Sequence, residues 1–297
     1  MLSSGRIKRI IFGDFILSYE IRGTGRPFVF LHDLGMDRRQ SLSMLEGLEG
    51  SQLITIDLPG HGESICATRM ERESPYSHEL MADAIHAVLQ AEGIAECVLG
   101  GIGMGTATAL KMTHRYPERV AGLLFFNPSG LSKRMCHKSR LIAKLAKLVR
   151  EGGILHAENE LRRDPAFGRL ASTDPEGSRF YLKLLRRSQA LEHRVLSEMA
   201  EDCSLYSKRM LRRLEVRTKI VGFAEDSVNP SVFGRWLHRF MSFSSLELLD
   251  RPQPRRKALE IASEFLGSLR AVKSKAAKVR QEKKVSAESR RIHIDAR

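Results

Sequence analysis

"CVLGGIGMGTATALKMTHRYPERVAGLLFFNPSG", residues 97–130, decides the fold. An apolar run breaks at the glycine-rich "GGIGMG" (100–105) into a helix-period segment from about Met104 to Tyr116, and a second apolar run follows at 120–127. Strand, sharp turn, helix and strand in that order form the repeating unit of a largely parallel sheet covered by helices. Glycines suit such a turn because they tolerate positive φ and let backbones approach closely.

The same alternation extends outward on both sides. Further apolar runs, bounded by glycine, proline or aspartate, are "PFVFLH" (27–32), "QLITID" (52–57), "TKIVGF" (218–223) and "SSLELLD" (244–250). The opening residues read as a two-stranded hairpin. Ser74-Pro75 offers an N-cap with Pro at N1 for a helix that lines Leu80, Met81, Ala84, Ile85, Val88 and Leu89 on one face, and a last helix is expected at about 255–269. The fold class implied is α/β, with a mostly parallel eight-stranded sheet flanked by helices. Between the fourth and fifth long runs, residues 131–217 lose the alternation and read as a helical insertion. Its segment 139–153 places Leu141, Ile142, Leu145, Leu148 and Val149 on one side and Lys144, Lys147 and Arg150 on the other. The expected organisation is a core of 1–130 with 218–266, a helical cap at 131–217 and a basic tail at 267–297.

Charge follows these boundaries. The chain of 297 residues has a formal charge of +14; residues 131–217 hold 20 Lys+Arg against 11 Asp+Glu, and 267–297 hold 10 against 3. The core segments are close to neutral. Cys66, Cys97, Cys136 and Cys203 show neither paired spacing nor CxxC, so no disulfide framework or zinc site is suggested and a cytoplasmic setting is expected. No apolar run approaches the roughly 20 residues that a spanning helix needs. Asp14 and the lack of a small-residue cleavage site argue against a signal peptide.

Several motifs resemble those of the α/β-hydrolase superfamily, over about residues 7–266: "LHDLGM" (31–36), similar to its HGxG-type loop; "DLPGHGES" (57–64); "GGIGMG" with "YPERVAGLLFFNP"; and "AEDSVNP" (224–230). In that superfamily the nucleophile sits in G-x-S-x-G at a strained strand-to-helix turn. Here the five positions are Gly101, Ile102, Gly103, Met104 and Gly105, so the nucleophile position is Gly103. The resemblance puts the acid at Asp226. It puts the base after the last strand, where none of the ten histidines falls, since His238 comes too early and His293 lies in the tail. Losing nucleophile and base together implies loss of triad chemistry.

What remains is an expected oxyanion-type pair, the amides of Leu34 and Met104, in a loop shared with His32 and Gly35. The glycine at the nucleophile position, with "HDLGM" and "GGIGMG", resembles the non-enzymatic N-myc downstream-regulated family, whereas "DLPGHGES" keeps the hydrolase form. A dinucleotide-binding GxGxxG fails on spacing, because Gly101 and Gly103 are followed by Thr106. His32 and His61 stand in fold motifs and read as loop organisers. Ser129 could substitute as nucleophile but reads more simply as a solvated loop serine.

The functional expectation is a pseudo-hydrolase that binds a small molecule or acts as a scaffold, without a cofactor or metal. The alternative is an active hydrolase of small esters, lactones or amides with relocated catalytic residues. The basic insertion and tail suggest an acidic protein or an anionic membrane surface as partner. They suit nucleic acid less, because no known binding module is present and the tail carries no aromatic residues.

Overall fold

The computed structural model describes residues 5–67, 74–129, 137–187, 194–202, 206–224, 231–250 and 256–269. The apolar runs become strands: β1 (Arg6–Phe12), β2 (Phe15–Arg22), β3 (Arg26–Leu31), β4 (Ser51–Ile56), the two-residue β5 (Ile65–Cys66), β6 (Cys97–Gly103), β7 (Val120–Pro128), β8 (Thr218–Phe223) and β9 (Ser244–Leu249). Eight lie in the order β1-β2-β4-β3-β6-β7-β8-β9, and β5 pairs with β2 as a ninth. The β1–β2 and β2–β4 pairs are antiparallel. All pairs from β4 to β9 along that path are parallel. The sheet thus has one short strand more than the eight expected, too brief to register as an apolar run.

Alternation along the central strands distributes side chains to two cores. Val29, Leu31, Ile54, Leu99, Phe125 and Ile220 face one side. There they meet α2 (His78–Ala91) and α3 (Met104–Arg115). Phe28, Phe30, Leu53, Val98, Leu124, Phe126 and Val221 face the other, against α1 (Arg38–Leu45) and a helix at 256–269 that contributes Ile261, Ala262 and Phe265. Burial on both faces explains why these strands read as unbroken apolar runs.

The N-cap of α2 is Ser77, whose hydroxyl accepts from Leu80 N–H, and not Ser74 as the Ser-Pro pair suggested. Amides on either side of that cap are claimed from elsewhere: Glu198 accepts from Tyr76 N–H at 2.7 Å and Asp202 from His78 N–H at 2.5 Å. Carboxylates at a helix N-terminus satisfy orphan donors and complement the helix dipole. Sequence proximity alone could not reveal partners more than a hundred residues away.

Those two carboxylates lie in the helical segment between β7 and β8. It contains α4 (His137–Arg163, kinked at Gly153), α5 (Pro165–Thr173), α6 (Pro175–Arg187), α7 (Val195–Glu201) and α8 (Lys208–Arg212). As its pattern predicts, α4 buries Ile142 and Leu145 and exposes Lys144, Lys147 and Arg150. Further ties to the sheet layer come from Tyr206, whose hydroxyl donates to the Ala107 carbonyl. Arg187 of α6 lies 3.7 Å from Asp37. The remaining helix, α9 (Val232–Phe240), packs Phe233, Leu237 and Phe240 inward and leaves His238 exposed. No helix among the described residues is long and apolar enough to cross a membrane.

Candidate functional site

The turn between β6 and α3 keeps the backbone shape of a nucleophile mount. Gly103 has φ +55° and ψ −119°. The ladder to β7 shifts register at Ile102/Gly103, which swings Gly103 out of the strand line. Close approach excludes side chains at the flanking glycines: a Cβ on Gly101 would lie 2.6 Å from the Gly105 carbonyl carbon, and one on Gly105 2.5 Å from the Leu31 carbonyl oxygen. Thr106 locks the turn by donating from its hydroxyl to the Gly103 carbonyl at 2.6 Å.

The space above Gly103 is occupied. A Cβ built there would overlap the Asp33 carboxylate, well inside van der Waals contact. The same Asp33 Oδ1 accepts from Met104 N–H at 2.7 Å and from Leu34 N–H at 2.8 Å. These are the two amides expected to form the oxyanion pair. They converge on one oxygen, and that oxygen belongs to the protein. Asp33, Leu34 and Met104 are each at most 5% exposed, so this is a buried, charge-assisted arrangement at a helix N-terminus. The sequence reading missed Asp33, although a signal was present: Asp33 stands where the HGxG-type loop has its first glycine.

The loop is held independently of that carboxylate. Asp33 N–H donates to Gln40 Oε1 at 2.8 Å, while its carbonyl accepts from His32 Nδ1 at 2.8 Å and from Met36 N–H at 3.0 Å, closing the turn that contains Gly35. His32 Nε2 accepts from Leu58 N–H at 3.1 Å, which fixes the proton on Nδ1 and uses both ring nitrogens on backbone. Burial lowers the His32 pKa, and the neutral ring suits these roles.

The His61 ring lies tilted against it, with ring centroids 4.9 Å apart, and donates from Nδ1 to the Pro59 carbonyl at 3.1 Å. Burial, reinforced by repulsion from His32, brings the His61 pKa down from 6.5 to about 3. The folded value lies below the unfolded one, so the neutral ring is the folded form. Stability carried by that neutrality is complete above the unfolded pKa and is lost as pH falls from there through about 3. We expect unfolding free energy to drop by about 2 kcal/mol between pH 7 and 5 from His61 alone. Urea midpoints across that range should vary less in His61→Gln, and an equally steep pH dependence in the variant would rule the assignment out.

Arg38 ties this loop to the next one. Its backbone N–H donates to Asp57 Oδ1 at 2.7 Å, its guanidinium pairs with Asp57 Oδ2, and its Nη2 reaches Glu63 at 3.0 Å. Glu20 adds a third carboxylate 3.7 Å from Nε. Asp57 also accepts from Glu63 N–H at 2.9 Å, so the "DLPGHGES" loop wraps around a buried ion cluster.

Ser129 is buried, not solvated, because its N–H faces the Thr106 hydroxyl at 3.4 Å beside the turn. Asp226 lies outside the described residues. The structure therefore gathers His32, Asp33, Leu34, Gly35, Gly101, Gly103, Met104 and Gly105 in one place. Among the described residues no cluster of His, Cys, Asp or Glu is arranged to hold a metal.

Residues 26–147 match the α/β hydrolase fold family. Over 107 residues, 36% of this chain and 32% of that protein, the sequence is 31% identical to Lipase 1 of Psychrobacter immobilis. Over 180 residues, 54% of this chain and 10% of that protein, it is 25% identical to Protein PHYLLO, chloroplastic, of Arabidopsis thaliana. The chain thus spans a third or less of the length of these relatives. A thermophilic esterase from Thermogutta terrifontis has a similar structure, with a TM-score of 0.68 at 21% identity, covering 89% of this chain and 99% of that one. Strand order, elbow geometry and the matched segment together show that the chain has the α/β-hydrolase fold.

Proposed function

We propose that this protein is a pseudo-hydrolase, a ligand-binding or scaffolding member of its superfamily that lacks triad chemistry. The observation that carries the reading is the elbow at Gly103, which keeps its strained backbone, holds no nucleophile and has its space filled by the Asp33 carboxylate. The sequence adds that no histidine lies between His238 and His293. A serine introduced elsewhere in this site would still lack a base, and Asp226 alone orients nothing. The same glycine supports kinship in kind with the N-myc downstream-regulated family.

The helical segment is the proposed cap, and its basic residues are partly neutralised within it. Lys144 pairs with Asp164, Lys147 with Glu151, and Arg162 and Arg186 both with Glu158. This favours a solvated, self-paired face over a dedicated anionic docking surface there, and leaves acidic partners or anionic membranes to the basic tail.

The test is turnover of short-chain p-nitrophenyl esters by the purified full chain, with Asp226→Ala alongside. We expect both proteins to stay at the uncatalysed rate. Turnover by the parent chain that Asp226→Ala abolishes would overturn the reading in favour of a relocated catalytic set.

A further inference from the structure

We propose that Asp33 is the resident ligand of the amide cradle, an internal plug, and that the cradle is a binding site for one carboxylate that opens only when the Asp33 side chain is withdrawn. The inference deepens the non-catalytic reading by naming what holds the vacated site shut. Two N–H groups from different elements, Leu34 on the loop after β3 and Met104 at the start of the twelve-residue α3, converge on a single oxygen. Convergent donors at a helix N-terminus are a carboxylate or phosphate site by chemistry. The buried side chain of Asp33 already supplies the carboxylate.

The geometry also predicts that the cradle survives without its plug. The Asp33 backbone is anchored through Gln40, His32 and Met36 by bonds that do not involve its carboxylate. Leu34 follows within the same turn, and Met104 is fixed by α3. Removing the side chain therefore leaves two buried donors aimed at an empty position, and such donors demand an acceptor. An anion the size of acetate or butyrate has the one oxygen that the position takes. In the parent chain it must displace an intramolecular carboxylate, whose effective concentration is high.

The experiment follows the 15N–1H resonances of Leu34 and Met104 in the full chain during titration with sodium butyrate, against sodium chloride at equal ionic strength. In Asp33→Gly both resonances should shift saturably, with butyrate binding about tenfold to hundredfold tighter than in the parent chain. Butyrate at ten times its Kd should raise the Tm of the variant by about 3 °C. Equal binding by parent and variant would show that Asp33 is not a plug, and a folded Asp33→Gly that does not respond would show that no carboxylate cradle exists.

Should Asp33→Gly fail to fold, Asp33→Asn keeps an acceptor without the charge. The Leu34 and Met104 resonances should then move from their parent positions while those of α2 stay, and unmoved resonances would overturn the proposal. Ester turnover by the parent chain would sink the non-catalytic reading and leave the butyrate result standing, so the two failures are distinguishable.

Discussion

Placing a serine at the elbow, Gly103→Ser, should produce an unstable protein that, on the proposed non-catalytic reading, is also inactive. The backbone at φ +55°, ψ −119° is sparsely populated for residues with a Cβ and costs on the order of 1–3 kcal/mol to hold. The new side chain also overlaps the Asp33 carboxylate, which must leave Leu34 and Met104 N–H to make room. Each buried donor left without a partner costs a further ~1–3 kcal/mol. We expect a loss of about 4 kcal/mol in chemical denaturation, with ester turnover at background. Gly103→Ser combined with Asp33→Gly relieves the collision but leaves the Leu34 and Met104 donors seeking another acceptor, so it should recover only the part of the loss that the overlap causes, and no histidine stands after the last strand to serve as base. A single Gly103→Ser variant as stable as the parent would contradict the placement of Asp33, and turnover by either variant would contradict the loss of the base.

Arg38→Met is expected to be the other severe substitution. Arg38 and Asp57 are 6% and 0% exposed, and Glu20 at 5% is nearly as buried. Removing the cation strands carboxylates that cannot regain water, at a cost of about 3–5 kcal/mol. Arg38→Lys should recover little, because one ammonium cannot reproduce the fork that reaches Asp57 and Glu63 together. Equilibrium urea unfolding reads the effect. A second change, Asp57→Asn, should make the double variant less costly than the sum of the singles, since the two groups share one interaction. Strict additivity, or a loss below about 1 kcal/mol for Arg38→Met, would mean the cluster contributes little.

How much of this was legible in the sequence depended on whether the determinants were local. Strands β3, β4 and β6 to β9 came from apolar runs because a parallel sheet buries both faces, and α4 came from its stripe of leucines and isoleucine with lysines opposite. The start of α2 was misplaced because its true partners, Glu198 and Asp202, arrive from a distant helix. Gly103 and its flanking glycines, like the amides of Leu34 and Met104, come from the resemblance. Asp33 was overlooked because a carboxylate in a loop reads as solvated, and only the fold brings it over the glycine seventy residues later. Arg38 was missed for the same reason, its counter-ions being spread over β2 and the loop after β4.

The way Asp33 sits over Gly103 also constrains the routes by which this sequence can change. Serine at 103 meets a collision while Asp33 is present, and a small residue at 33 leaves the cradle hungry while nothing else fills it. Each residue makes the other's replacement unfavourable, although the pair together is comfortable. In mutational terms the two positions are expected to show reciprocal epistasis: a lineage carrying both must pass through a poorer intermediate to place a hydroxyl at the elbow.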